Sequence, residues 1–176
     1  MKEQNYKLKK PQVEFNILTL FPELLRGSTG VSVVGKALNN GLWKLNTINI
    51  REFSEDKHFT VDDSPFGGGP GLIMRPDILG KALNQVNKGI SSNMNHRILC
   101  LSPKGKRFHQ KTAKDLLNAD VVTMICGRYE GIDERFISSR GIEELSIGDF
   151  IVSGGEQAAF VIIDSVVRLL PGVLGK

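Results

Sequence analysis

Short apolar runs of strand character alternate along this chain with segments of helical periodicity, and this order restricts the folds open to it. Strand-like runs occupy residues 15–20, 42–50, 97–102 and 121–126, and residues 142–155 read as a broken strand region. Apolar residues at helical spacing occur at 31–40, 74–86, 109–119, 132–139 and 155–170. Alternating strands and helices build α/β domains. We therefore predict an α/β fold, a parallel sheet with helices on both faces.

Composition and the chain's opening residues argue against a membrane protein, a secreted protein and a metal-binding cysteine site. Hydrophobic residues make up 40% of the 176 residues and charged residues 24%, as in ordinary globular domains. No apolar run reaches the roughly 18 residues that a membrane helix needs. The opening residues, MKEQNYKLKK, contain no apolar signal core. Cys100 and Cys126 lie in apolar runs without metal-ligand spacing. These features predict buried, reduced thiols, a cytoplasmic location and no membrane partner.

Positive charge is concentrated in two stretches. Residues 1–12 read as a basic N-terminal extension, ahead of one domain at 13–176. Residues 97–114 carry six lysines and arginines and no acidic residue. Such a stretch is either a solvated helix face or a patch that contacts phosphates.

Glycine-rich loops follow several of the predicted strands. The segment 51–71 is long and ends in GGGPG, and residues 101–105, 127–131 and 146–156 follow strand-like runs. Ligands of open α/β sheets bind at the carboxyl ends of strands, so these loops could converge on one pocket. No P-loop and no G-x-G-x-x-G occurs, which argues against ordinary nucleotide folds. Each glycine alone could equally mark a tight turn.

Polar candidates in these loops have two interpretations each. Asp62 and Asp63 could form an acid/base or magnesium pair, or lie in a solvated loop. His58 could be a base or simply be exposed. Arg128 and Glu130 flank Tyr129 as a charged pair that could grip a ligand or lie on the surface.

Arg168 differs from these because it lies within the apolar segment 155–170. An arginine among apolar neighbours must reach solvent or serve a site. The residues alone thus predict an α/β domain that binds a small ligand through bare loops.

The loops carry a resemblance to a known family. The stretches FNILTLFPE, VDDSPFGGGPG, LSPKG, CGRYEGIDER, SIGDFIVSGGE and DSVVRLLPGVLG occur in this order. In these stretches the chain resembles the bacterial tRNA (guanine-N1)-methyltransferases of the SPOUT class, from about residue 15 onward. The resemblance implies methyl transfer from S-adenosylmethionine to N1 of the guanine 3′ of the tRNA anticodon. It also implies a deep trefoil knot and a homodimer whose active site lies at the interface.

The same resemblance implies a cofactor site made of three loops. Its residues are Leu101, Ser102, Pro103, Gly127, Arg128, Tyr129, Glu130, Gly131, Ser146, Ile147, Gly148, Asp149, Phe150, Ile151, Val152, Gly154 and Gly155. Backbone groups of such loops can hydrogen-bond adenine, and Ile147, Ile151 and Val152 offer apolar walls.

Catalytic and substrate-binding roles are also implied by the resemblance. Arg168 would contact the guanine as a cation, with Glu130 beside cofactor and substrate. The guanine and anticodon side would be formed by His58, Asp62, Asp63, Gly67, Gly68, Gly69 and Gly71. Magnesium would act in turnover, with unassigned ligands. The family's general base, an aspartate, and its C-terminal tRNA-binding domain would follow residue 176, so this chain alone is expected to be slow or inactive.

Two alternatives remain at this stage. The chain could be a non-catalytic RNA-binding fragment that senses S-adenosylmethionine. It could also be a SPOUT methyltransferase acting on ribose or ribosomal RNA, although the GGGPG and CGRYEGIDER segments argue against that substrate.

Overall fold

The computed structural model describes residues 11–174. The predicted basic extension at 1–12 therefore lies almost wholly outside the described residues. Of it, the structure describes Pro11 and Gln12, and the Gln12 amide donates to the Leu42 carbonyl at 2.9 Å.

Between residues 11 and 174, seven strands and six helices follow one another. The strands are β1 (Glu14–Thr19), β2 (Lys44–Asn49), β3 (Asp62–Asp63), β4 (Ile73–Met74), β5 (His96–Arg107), β6 (Val121–Cys126) and β7 (Glu143–Ser146). The helices are α1 (Pro22–Thr29), α2 (Ser32–Asn39), α3 (Pro76–Lys88), α4 (Gln110–Leu116), α5 (Glu134–Ser139) and α6 (Gly155–Val167), and a 3₁₀ turn spans Ile50–Phe53. As its sequence suggests, α1 begins with Pro22, whose missing N–H would have no partner in the first turn anyway.

Five of the strands form one parallel sheet in the order β2-β1-β6-β5-β7. Its central strand β6 is buried along its whole length, because helices cover both faces of the sheet. The predicted α/β class and parallel sheet are thus confirmed. The strands differ from prediction in two places: β3 and β4 form a small antiparallel hairpin on either side of the GGGPG segment, and β5 continues to Arg107.

The extension of β5 depends on an irregularity in its pairing with β7. Leu101 pairs with Leu145, and the register then shifts so that Lys106 pairs with the same Leu145. The four residues between them leave the ladder, which accommodates Pro103 without ending the strand. This excursion overhangs the carboxyl end of the sheet.

Two apolar layers enclose the sheet. One contains buried side chains of α1, α2, α4 and α6, with Phe15 and Trp43 in edge-to-face contact at 5.9 Å between ring centroids. The other layer packs α3 and α5 on Leu18, Cys100 and Ile125. None of the helices in the described part of the chain combines the length and apolarity required to cross a membrane.

Candidate functional site

A cavity of about 420 Å³ lies at the carboxyl ends of β5, β6 and β7. Three loops form its walls: the excursion in β5, the segment after β6, and the segment between β7 and α6. Every residue predicted for the cofactor site lines this cavity except Asp149, which lies exposed on the adjoining turn. Convergence of the loops follows from the parallel sheet, since the carboxyl ends of its strands share one edge.

The cavity has a buried floor and an exposed apolar rim. Leu101, Leu145 and Ala158 are buried at its base, whereas Ile151 on the rim is 87% exposed. Cys100 also lines the floor, and burial raises the pKa of its thiol to about 12. The thiol is therefore neutral at physiological pH, which agrees with a structural cysteine. Both cysteines are buried and free.

Arg128 is held by an ion pair with Glu156, not by the neighbouring Glu130. Its Nη2 lies 2.7 Å from Glu156 Oε2, and its Nη1 donates to the Ser153 carbonyl at 2.9 Å. The guanidinium also lies over the Phe21 ring, 4.4 Å from the centroid. The idea of a charged pair between Arg128 and Glu130 is therefore wrong: Arg128 ties the loop after β6 to the start of α6.

Glu156 is the residue that sequence reasoning missed. Its side chain is 2% exposed, and Oε1 accepts a hydrogen bond of 2.6 Å from the Thr19 hydroxyl at the end of β1. Burial of a carboxylate is costly unless it is paired and hydrogen-bonded, and here both conditions hold. The sequence signal was a single acidic residue in the first turn of a largely apolar helix.

Helix α6 begins against the carboxyl end of β6, next to the cavity. The Gly155 amide donates to the Gly127 carbonyl at 3.1 Å, and a Cβ on Gly155 would lie 2.6 Å from Cys126 Cα. Only glycine permits this approach, so the position at which α6 enters the cavity is set by its first residue.

The GGGPG segment contacts the cavity through Glu130. The Glu130 amide donates to the Leu72 carbonyl at 2.9 Å, and its side chain covers Gly71 so closely that a Cβ there would lie 2.3 Å from Glu130 Cγ. Next to it, the pKa of Tyr129 is raised by partial burial and then by the Asp62 carboxylate. Glu130 and Tyr129 thus join the cavity to the glycine-rich loop.

Other predicted substrate residues lie on this loop, outside the cavity. His58 and Asp63 are exposed, and Gly67, Gly68 and Gly69 have positive φ angles with open space around them. Asp56 organises the loop by accepting hydrogen bonds from Ser54, His58 and Thr60, which hold the pKa of its carboxyl far below the ordinary value. A bare, shaped surface therefore adjoins the cavity mouth.

Arg168 lies far from the cavity of its own chain. It is exposed and caps the C-terminus of α6, whose N-terminus lines the cavity. The helix has 13 residues, and at a rise of about 1.5 Å per residue its ends are roughly 20 Å apart. Within one chain, the structure does not bring Arg168 and Glu130 together.

Metal-binding potential is low among residues 11–174. No group of three or more histidine, cysteine, aspartate or glutamate side chains in that range is placed to hold a metal ion. Asp62 and Asp63 extend in opposite directions on β3, as successive strand residues do. The alternative of a magnesium site on this aspartate pair thus gains no structural support.

Comparison with known proteins identifies close relatives. Residues 13–176 match the family model described as tRNA (Guanine-1)-methyltransferase TrmD. A tRNA (guanine-N(1)-)-methyltransferase of Pelagibacter ubique is 54% identical over 160 residues, which is 91% of this chain and 68% of that protein. Proteins with the same name from Anaplasma marginale and Ehrlichia canis are each 48% identical, over 92% of this chain and 68% and 67% of their own lengths.

Proposed function

The chain belongs to the tRNA (guanine-N1)-methyltransferase family, and we propose that its cavity holds S-adenosylmethionine while the adjoining glycine-rich loop receives the target guanine. The activity is transfer of a methyl group to N1 of a tRNA guanine, the one 3′ of the anticodon. One observation carries the assignment of the cavity: three loops, far apart in sequence, line a single space of about 420 Å³.

The residues around the cavity would suit S-adenosylmethionine. The volume lies within the range of roughly 300–1,000 Å³ typical of small-molecule sites. Loops rich in glycine expose backbone N–H and C=O groups to the adenine, and Ile147, Ile151 and Val152 supply apolar contact. When bound, the cofactor supplies an electrophilic methyl group on a sulfonium.

Guanine N1 must lose its proton before it can attack the methyl group, and negative charge then develops on the base. A cation near the guanine stabilises that charge. We assign this role to Arg168, and place Glu130 at the junction of cofactor and substrate, where it contacts Gly71. By the resemblance, an aspartate of the family removes the proton from N1.

Arg168 can serve the cavity only from a second copy of the chain, because α6 separates it by roughly 20 Å from its own. We therefore propose a homodimer in which each cavity receives the partner's Arg168. Exposed apolar side chains on α6 and around the cavity, among them Val161, Phe150 and Ile151, provide a surface for such an interface.

We also propose the trefoil knot of the family. Its support is the direct contact of the segments involved: the Gly155 amide with the Gly127 carbonyl, and the Phe108 amide with the Ser146 carbonyl at 2.7 Å. Magnesium remains an expectation from the resemblance, and no step is assigned to it.

The assignment is tested by calorimetric titration with S-adenosylmethionine and by methyl transfer from labelled cofactor. Two tRNA transcripts are compared, one with guanine and one with adenine 3′ of the anticodon. We expect cofactor binding without tRNA, and label transfer that is slow and confined to the guanine transcript. Failure to bind the cofactor would overturn the assignment of the cavity.

A mixing experiment tests the shared site. Glu130→Gln and Arg168→Ala are each inactive or slow as homodimers, whereas mixed dimers hold one site with both residues intact. Random mixing should restore about a quarter of the unsubstituted activity, because half of the dimers are mixed and one of their two sites is complete. Mixing Arg168→Ala with the double variant should restore nothing. Equal outcomes in the two mixtures would overturn the shared site.

A further inference from the structure

The basic stretch at 97–114 forms part of the cavity wall at residues 100–104, but most of its cationic side chains have no role in the site described above. It carries six cationic side chains and no acidic one. Arg97 is used locally, since its Nε lies 2.7 Å from Glu143 Oε1. Lys104 is paired with Glu134 and lies 3.6 Å from Glu144. These two cations are therefore neutralised by neighbouring acids.

The other four cations are exposed, and none forms an ion pair with another residue in the range 11–174. They are Lys106, Arg107, Lys111 and Lys114. Lys111 and Lys114 are three residues apart on α4 and so lie side by side, while Ala113 and Leu116 of the same helix are buried. Asp115 is the one carboxylate within the segment 97–116, and its charge acts on Arg97. We call these four cations the α4 basic surface.

This surface begins at the rim of the cavity. Arg107 pairs with Ser146 in the sheet, and the Phe108 amide donates to the Ser146 carbonyl at 2.7 Å. Ser146 lines the cavity, as does Lys104, two residues before Lys106. A tRNA whose guanine lies at the cavity mouth can therefore extend over the α4 basic surface.

The chemistry of the surface favours a polyanion over a protein partner. Protein interfaces depend on apolar and aromatic anchors, and between residues 97 and 119 of the described chain no large apolar side chain is exposed. Lysine presents a compact charge without the geometry that reads bases, which suits contact with a phosphate backbone.

We propose that the α4 basic surface binds phosphates of the tRNA stem that continues from the methylated guanine. The inference rests on the proposed function, because it takes tRNA as the occupant of the site. Each phosphate contact releases condensed counterions, so this surface contributes affinity that falls as salt rises and does not depend on sequence. The guanine is then selected at the glycine-rich loop beside the cavity, and the phosphates of the stem are held by the α4 basic surface.

The test compares two double variants that remove the same charge. Lys111→Gln/Lys114→Gln alters the surface, and Lys36→Gln/Lys88→Gln is the matched control. Lys36 and Lys88 lie in the last turns of α2 and α3, as Lys114 does in α4, and all four lysines are exposed, so each double variant removes two positive charges from exposed helix positions. Affinity for a fluorescent tRNA transcript is measured by anisotropy between roughly 50 and 200 mM salt.

Log K, where K is the association constant for tRNA, falls as log salt concentration rises. We expect the surface variant to make this slope shallower by about 1.4 to 1.8, the contribution of two phosphate contacts. Its tRNA affinity near 0.1 M salt should fall about tenfold or more, while S-adenosylmethionine binding stays unchanged. Equal slopes for the two double variants would overturn the proposal that the α4 basic surface binds tRNA phosphates, and would leave the proposed function intact. Absence of tRNA binding by the unsubstituted chain would overturn both the surface and the proposed function. Binding of tRNA without binding of S-adenosylmethionine would count against the proposed function alone.

Discussion

Arg128 and Glu156 form a nearly buried ion pair, with 2.7 Å between Nη2 and Oε2 and side-chain exposures of 16% and 2%. The pair connects the loop after β6 to the first turn of α6, and Thr19 extends it to β1. The loop after β6 and the first turn of α6 both contribute to the cavity wall. The ion pair therefore fixes the shape of the cavity without any atom of Glu156 lining it.

Replacing Glu156 by glutamine should be strongly destabilising, because the Arg128 guanidinium then remains in a protein environment without its counter-charge. Loss of one partner of a buried pair costs about 3–5 kcal/mol. Urea denaturation measures the change in the free energy of unfolding. Glu55→Gln, at the exposed pair with Lys81, is the control and should change it by less than about 1 kcal/mol. Similar values for the two variants would contradict the structural role of the pair.

Gly155→Ala should destabilise the protein and impair cofactor binding. The new Cβ would lie 2.6 Å from Cys126 Cα, so α6 must move away from the cavity floor. Overpacking of this kind costs about 1–3 kcal/mol or more. Gly27→Ala in α1 has nothing within 4 Å and should stabilise by about 0.5–1 kcal/mol. Thermal denaturation and cofactor titration compare the two variants. A Gly155→Ala variant with unchanged stability and unchanged cofactor binding would show that α6 does not need glycine at this position.

Gly71→Ala should reduce methyl transfer by displacing the Glu130 side chain, which lies 2.3 Å from the position of the new Cβ. The control is Gly68→Ala. Both glycines have positive φ angles, of 82° and 84°, so both variants carry backbone strain, but Gly68 has open space around it. Steady-state kinetics should show a larger fall in kcat/KM for tRNA in Gly71→Ala. Equal losses would mean that loop strain, and not Glu130, is responsible.

Asp133 should give the protein a pH-dependent stability. It accepts hydrogen bonds from the Arg135 amide and side chain at the start of α5, which lower the pKa of its carboxyl to about 2. A lowered pKa stabilises the fold above the unfolded value of roughly 4, and this contribution is lost as pH falls towards 2. Asp133→Asn keeps the helix cap but removes the charge. The stability gap between the two proteins should therefore be constant near neutral pH and close between about pH 4 and pH 2. A gap that persists at the lower pH would exclude the charge as its source.

Periodicity predicted most of the sheet and helices because burial on two faces leaves apolar runs that are easy to read. β1 was expected at 15–20 and is observed at Glu14–Thr19. The hairpin of β3 and β4 was missed because strands of two residues carry no alternation. The continuation of β5 past Pro103 was missed because it depends on pairing with Leu145, a residue distant in sequence.

Convergence of the site loops could be predicted from their positions after parallel strands, and their assignment to a cofactor came from resemblance. The partner of Arg128 could not be predicted. Glu130 is two residues away and Glu156 is 28 away, and nothing in their spacing distinguishes them. The partner is determined by the folded structure, in which Gly154 and Gly155 let the start of α6 approach the loop after β6.

The hydrogen bond from Thr19 to Glu156 joins residues 137 positions apart, the first strand of the sheet and its last helix. During synthesis, β1 leaves the ribosome long before its partner exists, and a contact of this sequence separation forms late in folding. The cavity cannot acquire its final shape until α6 has docked. A folding intermediate that lacks α6 would retain much of the sheet and still be unable to bind its ligand, so ligand binding reports completion of the fold.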